Sequence, residues 1–153
     1  MAEIFNKKAG FDFFLTEKTE AGIVLTGSEV KSVRAASGAL VDSYVKIVNG
    51  EALLINAYIA PYKYAVDPSY DPRRSRKLLL NKKEVEFFAS KVSSSNLTIV
   101  PTKMYTSHNL VKLEIALGKA KKKADKRDML KKKAQERETE SYLRAAKAES
   151  REN

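Results

Sequence analysis

The stretch YVKIVNGEALLI, residues 44–55, decides the fold class of this chain. Two apolar runs, residues 44–48 and 52–55, flank the polar segment Asn49-Gly50-Glu51. An Asn-Gly pair between apolar runs is the strongest short-range signal for a β-hairpin, because both residues adopt positive φ at little cost. The stretch therefore predicts two antiparallel strands joined by a tight turn.

Further short apolar runs on both sides of this hairpin predict a chain that is mainly β. The runs are rich in aromatic and β-branched residues, as strands are. They comprise residues 11–15 and 21–25, predicted to form a first hairpin through the polar turn 17–20, and residues 97–100 and 110–115, predicted as the last two strands.

Two short helices are predicted between the strands. Ser28 is expected to cap the first helix, which Gly38 would close. Asn81 followed by Glu84 is typical of a capping box, and apolar residues then recur at helical spacing. The pattern predicts a second helix over about residues 82–92.

About six short strands with inserted helices favour a small closed or partly open β-barrel of the oligonucleotide-binding type. We expect this barrel to occupy residues 1–117 and a basic C-terminal tail to occupy residues 118–153. The tail has high helix propensity but few large apolar residues, and nine basic and two acidic residues lie between 118 and 133. Because these charges repel, the tail is expected to be disordered when free and helical when bound.

The overall charge favours a polyanionic partner. The chain holds 29 Lys and Arg against 19 Asp and Glu, for a formal net charge of +10. Residues 118–153 alone hold 13 basic and 7 acidic side chains. Such clusters gain affinity for nucleic acid by releasing counterions from phosphates. A solvated surface is the alternative for the cluster in residues 73–77, and lipid headgroups are the alternative for the tail.

Catalytic and metal-binding patterns are missing from the sequence. There is no Cys, no phosphate-binding loop, no dinucleotide motif and no serine elbow. The single histidine, His108, is expected in a solvated turn rather than in a catalytic site. No apolar run has the length of a signal-peptide core or a membrane span. These features predict a cytoplasmic, monomeric, non-enzymatic protein without cofactor or metal.

Aromatic residues offer a second route to RNA binding, through stacking on bases. The phenylalanines are expected mainly in the core. The tyrosines near the predicted loop of residues 61–72 are better candidates for stacking, and they are Tyr58, Tyr62, Tyr64 and Tyr70.

An ordered series of short motifs runs along the chain, and its members are NKKA (6–9), EAGI (20–23), GSEVKSVR (27–34), DSY (42–44), GE (50–51), IAPY (59–62), DPR (71–73), RKLLL (76–80), LTIVP (97–101) and DKR (125–127). In order and spacing this series resembles the SmpB family, which partners transfer-messenger RNA. The resemblance implies an oligonucleotide-binding-type barrel that binds the tRNA-like domain of transfer-messenger RNA. It also implies delivery of that RNA to stalled ribosomes, with the tail in the empty decoding site and message channel, against ribosomal RNA.

The resemblance and the basic clusters together give two sets of candidate residues. The resemblance ties Glu20, Leu79 and Lys112 to RNA binding. The complete RNA-binding set is Asn6, Lys7, Lys8, Glu20, Glu29, Lys31, Ser32, Arg34, Arg73, Arg74, Arg76, Lys77, Leu79 and Lys112. The ribosome-binding set in the tail is Lys119, Lys121, Lys122, Lys123, Asp125, Lys126 and Arg127. Lys and Arg would contact phosphates, whereas the carboxylates would orient a basic neighbour or accept from a base or ribose hydroxyl.

The sequence departs from the family pattern at three places, which comprise four residues. Ala120 stands where the family has Gly, Ala124 where it has an aromatic residue or His, and Gly10-Phe11 where it has Arg-His. The change at position 124 would weaken stacking of the tail on ribosomal RNA. A generic nucleic-acid-binding or ribosome-associated module on the same barrel is the alternative function.

Overall fold

The structure is a computed structural model that describes residues 2–65 and 67–152. Nine strands and four helices occur in this part of the chain. The strands are β1 (Glu3–Phe5), β2 (Phe13–Ile23), β3 (Gly38–Ala39), β4 (Tyr44–Val48), β5 (Glu51–Ile55), β6 (Tyr58–Ile59), β7 (Arg76–Leu79), β8 (Thr98–Ser107) and β9 (Leu110–Ala120). The helices are α1 (Lys7–Asp12), α2 (Gly27–Arg34), α3 (Lys82–Ser95) and α4 (Lys123–Glu152).

The predicted Asn-Gly hairpin is confirmed. Strands β4 and β5 pair antiparallel from Tyr44 opposite Ile55 to Val48 opposite Glu51. The turn consists of Asn49 with φ 50° and Gly50 with φ 77°. Positive φ at both turn positions matches the right-handed twist of the flanking strands, which explains why the local sequence was sufficient here.

The strands close into a ring of six. The order β8-β4-β5-β7-β2-β9 returns to β8 because β8 and β9 also pair along their length. The β4–β8 seam is held by the single pair Val45–Ile99, and β1 adds to β8 beyond that seam. The ring is therefore a partly open barrel, as predicted, and β3 and β6 form a separate two-stranded sheet.

The core lies inside this ring. Leu54, Leu113 and Ile115 are completely buried, and helix α3 contributes Phe88, which is 1% exposed. Burial of these apolar side chains is the main favourable term for folding. The inward face of the strands thus carries the core, which leaves the outward face to polar and functional side chains.

The prediction of a first hairpin in residues 11–25 is wrong. Residues 13–23 form the single strand β2, which pairs with β9 on both sides of a bulge between Thr16 and Thr19. Glu17 has φ 55° at this bulge. The polar residues that suggested a turn are instead the irregular point of one long strand, because β9 continues past them as a common partner.

Helix α2 begins earlier than predicted. Its N-cap is Thr26 rather than Ser28, and Thr26 and Glu29 form a reciprocal capping box. Two donors that would otherwise be unsatisfied at the helix start are paired in this way. The capping box predicted at Asn81 and Glu84 is confirmed, and α3 extends to Ser95.

The chain divides into two units, with the boundary between Ala120 and Lys121. Strand β9 reaches Ala120, three residues past the domain end predicted from the sequence. In the second unit, α4 is one continuous helix. The tail is thus helical, because no Gly or Pro interrupts a run of strong helix formers, and disorder of the free tail stays a prediction. None of the side chains between Lys121 and Ala145 is buried.

Candidate nucleic-acid interface

A buried ion cluster joins helix α2 to the segment that precedes β7. The Glu29 carboxylate, with a side chain 1% exposed, accepts hydrogen bonds from Arg76 Nε at 2.7 Å and from the guanidinium of Arg74. It also accepts from the Thr26 backbone nitrogen at 3.0 Å and from the Tyr70 hydroxyl at 3.2 Å. Two arginines thus meet one carboxylate in the interior, and the cluster fixes the segment against the helix.

Opposing effects act on the pKa of Glu29. Burial by itself raises the pKa, since it disfavours the charged form. Hydrogen bonds from Arg74, the Thr26 backbone and Arg76, with the charge of Arg76, outweigh burial and lower the pKa to about 2. Glu29 is therefore a carboxylate at neutral pH, and its negative charge offsets one of the two positive charges of the arginines.

Four of the predicted RNA-binding residues lie in the interior, and their role in RNA binding stays a prediction. Arg76 is 0% exposed and donates to Ala57 O at 2.8 Å and Pro72 O at 3.0 Å as well as to Glu29. Ser32 Oγ donates to Ala60 O at 2.7 Å. With Glu29, these are three of the four residues, and Asn6 is the fourth. The hydrogen-bond partners of all four are within the protein.

Asn6 caps helix α1 rather than facing solvent. Its side-chain oxygen accepts from the backbone nitrogen of Ala9 at 3.3 Å, and its side-chain nitrogen donates to Pro101 O at 2.8 Å. The residue ties the N-terminal helix to β8. A buried Asn must satisfy its polar groups internally, which explains why it is unavailable to RNA as placed.

Exposed cations surround the buried cluster. Lys31 and Arg34 lie on the exposed side of α2, and Arg73 is exposed on the segment before β7. The Arg74 side chain is 35% exposed, although it contacts Glu29. Lys31 Nζ lies 5.1 Å from the Tyr62 ring centroid, and Arg73 Cζ lies 5.5 Å from that of Tyr58. These cations and rings offer groups suited to phosphates and bases.

Two of the predicted residues, Leu79 and Lys112, lie in one row across the outside of the ring. Leu79 on β7 pairs with Gly22 on β2, Gly22 pairs with Lys112 on β9, and Lys112 pairs with Tyr105 on β8. Directly opposed residues of antiparallel strands share a face. Leu79 is 56% exposed, which is high for a leucine in a strand. We call Leu79, Gly22, Lys112 and Tyr105 the outer row.

Gly22 lets the strands carry this row. A Cβ at position 22 would lie 3.1 Å from Leu79 Cβ, closer than most real Cβ contacts. The glycine therefore gives the Leu79 side chain room to pack over position 22. This close packing explains the place of Gly in the EAGI motif in physical terms.

Glu20 lies next to the outer row and has a hydrogen-bonding role. Its carboxylate accepts a hydrogen bond from the Tyr105 hydroxyl, and it pairs with Glu114 across β9. Burial, this hydrogen bond and the charges of the two glutamates raise the pKa of Tyr105 to about 12. Tyr105 thus remains a hydroxyl donor at neutral pH. Glu20 orients Tyr105, whereas a phosphate contact by this carboxylate would be repulsive.

The remaining predicted cations of the first unit are exposed and dispersed. Lys8 Nζ lies 3.1 Å from an Asp42 carboxylate oxygen, and Lys77 Nζ lies 3.4 Å from one of Glu51. The hydrogen bond and charge of Asp42 raise the pKa of Lys8. Lys7 is exposed on α1.

The tail residues have separate positions. Lys119 is exposed at the end of β9, whereas Lys122, Lys123 and Arg127 are exposed at the start of the second unit, and Lys121 and Lys126 are half-exposed. Asp125 accepts a hydrogen bond from the backbone nitrogen of Lys122 at 3.1 Å. Asp125 therefore stabilises the start of α4, where an acidic side chain is favoured by the helix dipole.

Sequence reasoning missed Tyr70 as a member of the buried cluster and Tyr105 as a member of the outer row. The alternation of residues 103–107 indicates which face of the strand Tyr105 lies on. Most of the residues that share the outer row with Tyr105 lie far away in the sequence. Within residues 2–65 and 67–152, no group of three or more His, Asp or Glu side chains is placed to hold a metal ion. The helices of the described chain include none that is long and apolar enough to cross a bilayer.

Comparisons with known proteins agree on one family. The model of the family described as SmpB protein matches residues 3–145. A protein named SsrA-binding protein from Sulfurihydrogenibium sp. (strain YO3AOP1) is 53% identical over 139 residues, which cover 91% of each chain. Another of that name, from Lysinibacillus sphaericus (strain C3-41), is 47% identical and covers 92% of this chain and 90% of the relative.

A solved structure is similar as well. It is described as "tmRNA-SmpB: a journey to the center of the bacterial ribosome", is 37% identical, and aligns with a TM-score of 0.69 over 85% of this chain and 95% of the other. The family model spans both the ring and most of α4, and the relatives match at nearly full length. The chain therefore belongs to the SmpB protein family.

Proposed function

We propose that this chain is an RNA-binding protein that binds the tRNA-like domain of transfer-messenger RNA and delivers it to stalled ribosomes for trans-translation. The observation that carries the proposal is the family match over residues 3–145, which includes both units. The relatives are named for binding SsrA, and the similar solved structure is named for tmRNA, SmpB and the ribosome. The protein itself makes and breaks no covalent bond in this function, and it acts as a monomer in the cytoplasm.

Two surfaces of the first unit are the proposed RNA contacts. One is the outer row, where Lys112 supplies a cation, Leu79 an exposed apolar contact and Tyr105 a hydroxyl donor. The other is the exposed side of α2 with Lys31 and Arg34. The buried residues Glu29 and Arg76 act indirectly, since they hold the backbone that carries the exposed cations. Base and ribose contacts supply selectivity, and the cations supply affinity.

The second unit is the proposed ribosome-binding element. Its first turns carry Lys121, Lys122, Lys123, Lys126 and Arg127, a charge density suited to ribosomal RNA. A helix without a buried face gains its binding energy from the partner. We propose that α4 occupies the decoding site and message channel of the small subunit, in the place of a codon–anticodon pair.

Binding of three RNAs across a salt series tests the proposal. The RNAs are the tRNA-like domain of transfer-messenger RNA, a tRNA, and a scrambled RNA of equal length. We expect preference for the tRNA-like domain that persists at physiological salt. Equal and steeply salt-dependent binding to all three would refute this function, and it would favour a generic nucleic-acid-binding module that relies on charge alone.

A further inference from the structure

A small cleft lies between the start of helix α2 and the segment that follows β6. Its volume is about 180 Å³, and its lining includes Thr26, Ser28, Pro61, Tyr62, Asp67 and Tyr70. Pockets for drug-sized ligands measure ~300 Å³ or more. The cleft is therefore too small for a cofactor. Liquid water occupies ~30 Å³ per molecule, so the cleft has the volume of about six water molecules, which is enough for one planar ring.

The walls of the cleft are aromatic and preformed. Tyr62 is half-exposed, and its ring packs edge-on against Tyr64 with 5.4 Å between centroids. Tyr70 also lines the cleft, and its hydroxyl donates hydrogen bonds to Ile59 O and to the buried Glu29. Rings that are already positioned lose little conformational entropy when a flat ligand stacks on them.

The interior of the cleft carries a negative charge, whereas its rim carries positive charges. The carboxylate of Asp67 lines the cleft, and an acidic group there repels phosphate. Lys31 and Lys63 lie outside the cleft. The Nζ of Lys31 is about 5 Å from the ring centroid of Tyr62, and the Nζ of Lys63 is about 5 Å from that of Tyr64. This arrangement of charges fits a nucleotide in one orientation, with its base in the cleft and its phosphate at the cationic rim.

Polar groups in the cleft are available to read a base edge. The half-exposed Ser28 side chain lines the cleft, and its hydroxyl offers one donor and two acceptors. The Asp67 carboxylate accepts from Ser69 and has capacity for a further donor. An exocyclic amino group on a base is the complementary donor.

We propose that this cleft binds one unpaired nucleobase of the partner RNA, stacked on Tyr62, with its phosphate at Lys31. The proposal rests on the proposed function, because it assigns a subsite on that RNA-binding protein. Unpaired bases in RNA loops are recognised in this manner, by stacking on aromatic side chains and by hydrogen bonds to their edges.

Variants at position 62, titrated with the tRNA-like domain across a salt series, test the proposal. Stacking on an aromatic side chain is uncharged, so Tyr62→Ala should lower affinity about tenfold without changing the salt slope. Tyr62→Phe keeps the ring and should bind as the unchanged protein does. Tyr44→Ala removes a tyrosine of β4 that is 41% exposed and serves as the matched control, with no expected loss.

RNAs with single abasic positions identify the base. At one unpaired position, the abasic RNA should bind the unchanged protein about tenfold more weakly, and it should bind the Tyr62→Ala variant with no further loss. A loss below twofold for Tyr62→Ala, an equal loss for Tyr44→Ala, or additive losses at every abasic position would overturn the proposal. Failure of the unchanged protein to prefer the tRNA-like domain would instead overturn the proposed function.

Discussion

Replacement of Glu29 by Gln tests whether the buried ion cluster holds the fold together. The substitution keeps the shape of the side chain and removes its charge. Arg76 would then be a fully buried guanidinium without its carboxylate, since its remaining partners are neutral oxygens. A buried charge without a counter-charge is strongly destabilising, whereas the intact pair costs little net energy.

The magnitude follows from the pKa of Glu29. The pKa is lowered from 4.5 to about 2 in the folded protein. Each pKa unit corresponds to ~1.36 kcal/mol, so the folded state gains about 3 kcal/mol from the ionised form of Glu29. Removal of one partner from a buried ion pair costs a similar ~3–5 kcal/mol in other proteins. We therefore expect Glu29→Gln to lower the free energy of unfolding by about 3 kcal/mol.

Urea unfolding of the unchanged protein and the variant at pH 7 measures this difference. Repetition at lower pH adds a second check. Because the folded pKa of Glu29 is depressed, its contribution is fully present above the unfolded pKa near 4.5 and is lost as the pH falls toward about 2. The difference between the two proteins should therefore stay constant from pH 7 to about pH 5 and shrink below it.

Asp42→Asn provides the control. It removes the exposed ion pair with Lys8, whose side chains are 49% and 68% exposed for Lys8 and Asp42. Exposed pairs are screened by water and contribute little, so we expect no measurable change in unfolding. The reasoning would be refuted if Glu29→Gln unfolded at the same urea concentration as the unchanged protein, or if its effect did not depend on pH below 4.5.

Three further predictions concern the ring, the tail and helix α2. Truncation after Ala120 should leave the thermal unfolding midpoint of the ring and its affinity for the tRNA-like domain unchanged. It should abolish activity in a ribosome-rescue assay. A lower unfolding midpoint by calorimetry would contradict this. Gly118→Ala should destabilise by ~1–3 kcal/mol in urea unfolding, because the new Cβ would lie 2.8 Å from Val100 Cγ2; unchanged stability would show that the strands adjust. Combined Lys31→Ala and Arg34→Ala should weaken RNA binding and flatten its salt slope by about two phosphate contacts; an unchanged slope would remove α2 from the interface.

Local sequence was sufficient wherever structure depends on neighbouring residues. The turn at Asn49 and Gly50 and the capping box at Asn81 and Glu84 formed as expected, because positive φ and reciprocal capping are properties of a few consecutive residues. The turn at His108 was likewise predictable: His108 and Asn109 join β8 to β9, with φ of 50° and 65°.

Pairing partners decided the features that the local pattern predicted wrongly. Residues 13–23 contain a polar interruption that resembles a turn, but β9 pairs with both halves and converts the interruption into a bulge at Glu17. The domain boundary moved for a related reason. Residues 118–120 have no large apolar side chain, like residues 121–128 at the start of the tail, yet Ala120 remains in β9 because Phe13 pairs with it.

Sequence by itself determined the charge, the strand-rich composition, the main turns and the family motifs of this protein. Only the tertiary structure decided that Arg76 is an interior cation and Arg73 an exposed one, although they are three residues apart in one basic cluster. Only it brought Leu79, Gly22 and Lys112 into one row. The physical reason is that burial and strand register depend on contacts between residues far apart in the sequence, whereas turns, caps and net charge depend on the residues themselves.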